Sequence, residues 1–285
     1  MPSSAQRRRN FTAAAPSAIG EESYVNVGGQ RIRVNVRHGS GVPLVLCNGI
    51  GASLEVLDPL VEQLDCTVVR FDVPGTGGSP TSPLPYGLPY LAWVLGRLLS
   101  KLGIGVVDVL GLSWGGGLAQ QFAFQNPRRC RRLVLVATGT GAIMVPAHPR
   151  ILAKMITPRR FSDPNYAATI AGDLYGGTVR AHGEDVAQLF VRQLHAGSKM
   201  GYLHQLLAGA VWTSLFALPA VRQQTLIVQG TDDPIIPTIN ARILNALLPH
   251  SRLHLHSGGH IDLVHNAPEL APVIEQFLTE PGERP

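Results

Sequence analysis

The sequence predicts an α/β protein: a mostly parallel, eight-stranded sheet covered by helices on both faces, with one long insertion. Three observations carry that expectation. Short runs rich in Val and Leu recur along the chain and read as strands buried on both faces. Segments of helical period lie between them. The alternation breaks between about Thr140 and Leu218 and then resumes.

In chain order, runs 24–27 and 31–36 flank Gly28-Gly29, a hairpin signature. Runs 43–47, 67–71, 105–110 and 132–136 supply four more strands. Helices are expected at 54–64, 88–102 and 118–124. The stretch that follows is irregular, with Pro146, Pro149, Pro158 and Pro164, and then shows helical period near 186–194 and 202–207. A strand at 224–229, a helix at 240–248, a strand at 252–256 and a helix at 271–278 complete the pattern. The expected organisation is a disordered leader over 1–22, a core formed by 23–139 and 219–280, and a cap or lid insertion over 140–218 covering the sheet's carboxyl edge.

With 285 residues the chain is long enough to bury a real core, and 45% apolar against 15% charged residues is globular composition. Much of the net charge of +5 sits in clusters at 7–9 and 128–132, without the interleaved aromatics of a nucleic-acid face. No apolar run reaches about 18 residues, so no membrane span is expected. Cys47, Cys66 and Cys130 are scattered and lack metal-ligand spacing, which fits a reducing compartment. The paired arginines of the leader loosely resemble a twin-arginine export signal. The apolar stretch after them is only about eight residues, contains Pro16 and stops at Glu21-Glu22, where such a signal wants roughly 7–15 clearly apolar residues. The expected location is cytoplasmic, with export as the alternative.

The sharpest motif is Gly111-Leu112-Ser113-Trp114-Gly115, a G-x-S-x-G between a β-run and a helical pattern. A nucleophilic serine on so tight a turn needs glycines two residues either side, because side chains there would meet the crossing backbone. Its hydroxyl needs a base, and the base needs an orienting acid. "TLIVQGTDDPIIP" supplies two acids, of which Asp233, just before the Pro-Ile-Ile-Pro turn, is preferred, with Asp232 the alternative that caps the turn. "HLHSGGHIDL" supplies the base, His260, on a loop freed by two glycines. Asp262 reads as a first-turn acid favoured by the helix dipole. His254 and His256 share a strand face, but His260 is better explained as the base, so no metal is expected, and no cofactor either.

"CNGIGA" raises a choice between a phosphate cradle and an oxyanion loop. A dinucleotide fingerprint needs a third glycine at position 54, where Leu54 stands. The oxyanion reading needs one N–H after the nucleophile and one from this loop, which points to Trp114 and Ile50. Each such donor contributes about 3–4 kcal/mol to the transition state. "FDVPGTGGS" carries glycines too, but Pro80, Pro83 and Pro85 prevent a helix, so it reads as support for the catalytic face. The insertion holds apolar residues, among them Met144, Met155, Met200, Trp212 and Phe216, that suit long alkyl chains. Met144 and Trp212 are the expected substrate contacts, together with Asn48.

From about Tyr24 to Leu278 these residues together resemble the α/β-hydrolase superfamily. "CNGIGASLEVLDPLVEQLD", "GLSWGGGLAQQFA", "ATGTGAIMVPAHPRIL", "SKMGYLHQLLAGAVWTSL" and "GTDDPIIPTINARIL" are similar to the intracellular depolymerases of medium-chain-length polyhydroxyalkanoates. The specific part is Asn48 in place of the superfamily's common His, Trp114 after the serine, and the insertion segments. The resemblance implies the triad Ser113, Asp233 and His260, and cleavage of ester bonds in a storage polyester of 3-hydroxy acids. It implies a hydrophobic polyester or ester as partner, and a granule surface as a place of action. The Arg-rich leader is not part of that family pattern. A carboxylesterase or lipase on smaller esters, a carbon–carbon hydrolase and a haloperoxidase share the same triad. A granule-surface binding protein would keep only the fold. Composition leaves the oligomeric state open.

Overall fold

The computed structural model of the chain describes residues 19–156, 163–182 and 197–281. Eight strands form one sheet: β1 (Glu21–Val27), β2 (Gln30–Arg37), β3 (Ser40–Cys47), β4 (Cys66–Phe71), β5 (Val107–Leu112), β6 (Cys130–Val136), β7 (Gln224–Gly230) and β8 (Ser251–His256). Their order across the sheet is β1-β2-β4-β3-β5-β6-β7-β8. The β1–β2 hairpin is antiparallel, as is the β2–β4 pair, and all other neighbours are parallel. β1 starts at Glu21, paired with Val36, so regular structure begins inside the stretch read from sequence as leader. Positions 1–18 lie outside the described residues.

Strand residues alternate between two apolar layers, as a pleated sheet covered on both faces requires. Leu44, Leu46, Leu110, Leu112, Val134 and Val136 face one layer. Val45, Cys47, Val107, Val109, Leu133 and Leu135 face the other. Cys47 is thus a small core hydrophobe, and burial pushes its thiol pKa far up. The first layer is closed by α1 (Asp58–Val61), which continues a 3₁₀ turn at Leu54–Leu57, and by the C-terminal helices. The second is closed by α2 (Leu88–Lys101) and α3 (Trp114–Gln125).

The connection between β6 and β7 contains α4 (Pro149–Ile156), α5 (Pro164–Tyr175), α6 (Gly177–His182) and α7 (Lys199–Ala210). The first three correct the expectation of irregular chain. Pro149 and Pro164 are not breakers but opening residues of helices, where a missing N–H costs nothing and φ is already helical. Asp163 caps α5 by accepting the Tyr166 N–H at 3.0 Å. The helical period expected near 186–194 lies outside the described residues, and the one at 202–207 falls within α7. After β7 come α8 (Thr238–Leu247), and after β8 come α9 (Asp262–His265) and α10 (Ala267–Thr279). Among the described residues no helix is long and apolar enough to cross a membrane.

Topology positions the site. The chain leaves β3 toward β4 on one side, then returns to place β5 on the other side of β3. Loops leaving the carboxyl ends of β3 and β5 therefore diverge and open a crevice between them. The loop after β3 is Asn48–Ser53, and the residue after β5 is Ser113.

Candidate active site

Ser113 sits at the junction of β5 and α3 with φ 54° and ψ −119°, a conformation that costs a non-glycine residue about 1–3 kcal/mol. The surrounding backbone enforces it. A Cβ at Gly115 would lie 2.1 Å from the Cys47 carbonyl oxygen, and one at Gly111 would lie 2.4 Å from the Gly115 carbonyl oxygen. The elbow is pinned further by the Ser113 N–H donating to Val136 O at 2.9 Å and by Thr138 Oγ1 donating to Ser113 O at 2.7 Å.

Three residues far apart in sequence meet here. His260 Nε2 lies 2.9 Å from Ser113 Oγ, and His260 Nδ1 lies 2.9 Å from Asp233 Oδ2. A carboxylate only accepts, so the imidazole proton sits on Nδ1 and leaves Nε2 as acceptor for the serine hydroxyl. Asp233 follows β7, and its side chain is buried. Its Oδ1 accepts the Ile235 and Ile236 N–H groups, both at 2.9 Å, and Oδ2 also accepts Gln229 Nε2 at 3.0 Å. Asp232 points elsewhere. It accepts Gly177 N–H at 2.7 Å and pairs with Arg180 at 2.6 Å, both in the β6–β7 connection.

The His260 loop is held on both sides. The His260 N–H donates to Tyr175 O at 2.8 Å at the end of α5. Asp262 opens α9 as expected, and in addition accepts Gly259 N–H at 2.9 Å and Thr178 Oγ1 at 2.8 Å. His256 Nδ1 accepts the Gly258 N–H at 3.1 Å. Among the described residues no group of three or more His, Cys, Asp or Glu side chains is arranged to hold a metal.

The loop after β3 lies against the serine: a Cβ at Gly49 would be 3.8 Å from Ser113 Cβ. The Ile50 N–H has no hydrogen-bond partner among the described residues. Trp114 opens α3, so its N–H has no carbonyl one turn earlier in the helix to bond. Asn48 is occupied by its own loop: Oδ1 accepts Gly49 N–H at 2.9 Å and Nδ2 donates to Ser53 O at 2.6 Å. Trp212 lies in the apolar layer beside Leu88 and Gly117, with Nε1 donating to Gln121 Oε1 on α3 at 2.6 Å. Met144 packs half-buried against the other layer, its sulfur next to Gly139.

Several residues that sequence reasoning missed organise this face. Gln229 holds Asp233, and buried Gln205 on α7 reaches the loop after β3. Asp72, after β4, accepts the Leu54 and Gly78 N–H groups at 2.8 Å each and meets Arg33 at 3.3 Å; burial pushes its pKa up to about 6. Asp72 was visible only as part of a glycine-rich loop, and neither glutamine carries a local signal. At the start of α7 two backbones touch directly: a Cβ at Gly201 would lie 2.3 Å from Gly75 O, and the Ser198 N–H donates to that same oxygen at 3.0 Å.

The family model of the alpha/beta hydrolase fold matches residues 42–267. This chain belongs to the α/β-hydrolase family. Within that family the hydrolase is 45% identical over 264 residues to a poly(3-hydroxyalkanoate) depolymerase of Ectopseudomonas oleovorans, covering 91% of this chain and 93% of the relative. It is 27% identical to a pimeloyl-[acyl-carrier protein] methyl ester esterase of Aeromonas hydrophila, over 85% of this chain and 97% of that one. Among solved structures it resembles a hydrolase from Pseudomonas aeruginosa at 25% identity and TM-score 0.78, covering 92% and 99% of the two chains. It also shares the fold of an enol-lactonase from Burkholderia xenovorans, at 22% identity, TM-score 0.78 and coverage of 90% and 100%.

Proposed function

We propose that this α/β hydrolase cleaves ester bonds of poly(3-hydroxyalkanoate) or its oligomers, with Ser113 as nucleophile, His260 as general base and Asp233 as the orienting acid. The observation that carries the chemistry is the unbroken relay from Ser113 Oγ through His260 to Asp233, with both links at 2.9 Å. The 45% identity to the Ectopseudomonas depolymerase, over nearly the full length of both chains, supports the substrate class.

His260 Nε2 takes the hydroxyl proton as Ser113 Oγ attacks the ester carbonyl. Charge collects on the carbonyl oxygen, and the Ile50 and Trp114 N–H groups receive it. His260 then returns the proton to the leaving alkoxide and leaves an acyl-serine. A water deprotonated by His260 releases the hydroxy acid and restores the hydroxyl.

The β6–β7 connection serves as a cap in this reading. Its exposed apolar side chains, Met200, Leu203, Leu206, Leu207, Val211 and Phe216, suit a hydrophobic polyester presented at a granule surface. Met144, half-buried against the layer that holds Ile235, Ile236 and Ile261, is the proposed contact for an alkyl side chain.

Replacing Ser113 by Ala tests the chemistry: ester turnover should fall by several orders of magnitude, and near-wild-type activity would refute it. A panel of p-nitrophenyl esters of graded chain length, beside a medium-chain polyester suspension, tests the substrate. Similarity to the Aeromonas methyl ester esterase favours a second reading, a carboxylesterase for small esters. Preference for acetyl esters without polymer clearing would support that one instead. Failure of an organophosphonate to label Ser113 would favour a binding protein.

A further inference from the structure

We propose that Gln205 is a positioning residue for the oxyanion loop: its buried side-chain amide anchors, through the Gly51 N–H, the turn that carries the Ile50 N–H toward the reacting carbonyl. This rests on the serine-esterase reading given above.

The loop is a four-residue turn, with the Ala52 N–H donating to Gly49 O at 3.2 Å. Gly51, third in the turn, has φ 72°, the value of a type II turn. A type I turn closes the same four residues with the central peptide flipped and a negative φ at the third position. The two forms differ chiefly in the direction of the Ile50–Gly51 peptide. Swinging that peptide rotates Ile50 ψ and Gly51 φ and turns the Gly51 N–H away from α7, so the turn that carries the Ile50 N–H loses its tie to the rest of the site.

Gln205 selects between them. Its Oε1 accepts the Gly51 N–H at 2.9 Å, a bond available only to the observed orientation. The acceptor cannot drift. Gln205 is 1% exposed, and its Nε2 donates to Thr76 Oγ1, also buried, at 2.5 Å. Its main-chain oxygen accepts Trp114 Nε1 at 2.9 Å, from the residue that supplies the other oxyanion donor. One residue of α7 thus ties together the loops that follow β3, β4 and β5, and both proposed donors lie on two of them.

The test compares Gln205→Met, which keeps the volume and loses both amide bonds, with Gln205→Glu. The latter keeps an acceptor for Gly51 and lets the Thr76 hydroxyl turn to donate. Steady-state kinetics on a medium-chain p-nitrophenyl ester are read beside the inhibition constant of an alkyl boronic acid, which forms a tetrahedral adduct on the serine. Gln205→Met should lower kcat about tenfold with KM within about twofold, and weaken the boronic acid by the same factor. Gln205→Glu should recover most of both. Thr76→Val, which removes only the far anchor, should lose roughly threefold in both readouts, and it decides the matter if Gln205→Met does not fold. Unchanged kcat and boronic acid affinity in Gln205→Met or, failing that, in Thr76→Val would overturn the proposal. So would a loss that appears in KM alone. The wild type reports separately on the parent reading. If it neither turns over esters nor takes up the boronic acid, the esterase reading fails and this inference with it. If it does both, the variants speak only to Gln205.

Discussion

Replacing Asp233 by Asn separates the two adjacent aspartates. The carboxylate receives four hydrogen bonds: two from backbone N–H groups on Oδ1, and those from Gln229 Nε2 and His260 Nδ1 on Oδ2. An amide oxygen can keep the two backbone donors. Its NH₂ then faces the Gln229 NH₂, a donor against a donor, and donates to His260 Nδ1. That moves the imidazole proton to Nε2, which now points a hydrogen at Ser113 Oγ and can no longer take one from it. The same substitution in Ser-His-Asp proteases costs about 10⁴ in kcat, or roughly 5 kcal/mol of barrier. Asp232→Asn leaves an amide oxygen for Gly177 and weakens only an ion pair with Arg180 whose side chains are 49% and 42% exposed. Such pairs contribute about 0–1 kcal/mol, so activity should stay within about twofold. The assay is kcat and KM on a p-nitrophenyl ester at pH 8 for both variants, with circular dichroism to show that each is folded. Near-wild-type kcat in Asp233→Asn, or a 10⁴-fold loss in Asp232→Asn, would refute the assignment.

Three further outcomes follow from packing, strain and burial. Ser113→Gly and Ser113→Ala both lose the hydroxyl, but only glycine relaxes at φ 54°, so Ser113→Gly should be more stable by about 1 kcal/mol in urea unfolding. Equal stability would mean the elbow is unstrained. Trp212→Phe should cost about 1–3 kcal/mol of stability, through a lost bond to Gln121 and a small cavity, and leave KM within about twofold. A large rise in KM at unchanged stability would instead support Trp212 as the substrate contact expected from sequence. The Asp72 carboxyl, pushed by burial from the usual 3.8 to about 6, holds its proton in the folded state where the unfolded chain has lost it. Its contribution is fully present below pH 3.8 and is lost as pH rises through 6, a fall of roughly 3 kcal/mol. The stability difference between wild type and Asp72→Asn, followed by urea unfolding from pH 4 to 7, should track that fall, and a flat difference would exclude it.

The central strands β3 to β7 were legible because burial on both faces writes Val and Leu into short runs, β1 and β2 because Gly28-Gly29 marks a hairpin between them, and all eight strands overlap the expected runs. β5 runs to Leu112, beyond the expected end at 110, because Gly111 belongs to the strand's buried end as well as to the turn. The helix expected at 54–64 is a 3₁₀ turn followed by the short α1. Two helices of the β6–β7 connection, α4 and α5, were hidden by prolines, whose meaning depends on whether they stand inside a helix or at its first turn. Ser113, Asp233 and His260 could be read from sequence because each needs a local backbone arrangement that leaves glycines and prolines around it. Gln205 needs none. Its partner Gly51 is 154 positions away, and a glutamine on a half-apolar helix has no periodic mark to distinguish it.

The contact between Gly201 and Gly75 bears on how the β6–β7 connection can move. Two main chains pressed together with no side chain between them have no rotamer to swing aside, so the joint behaves as a rivet rather than a hinge. The α7 part of the connection is then a fixed wall. On the proposed polyester-cleaving reading, the substrate meets there a surface that cannot swing aside, so the fixed spacing of that wall, rather than the opening of a door, would set how bulky a side chain the enzyme accepts.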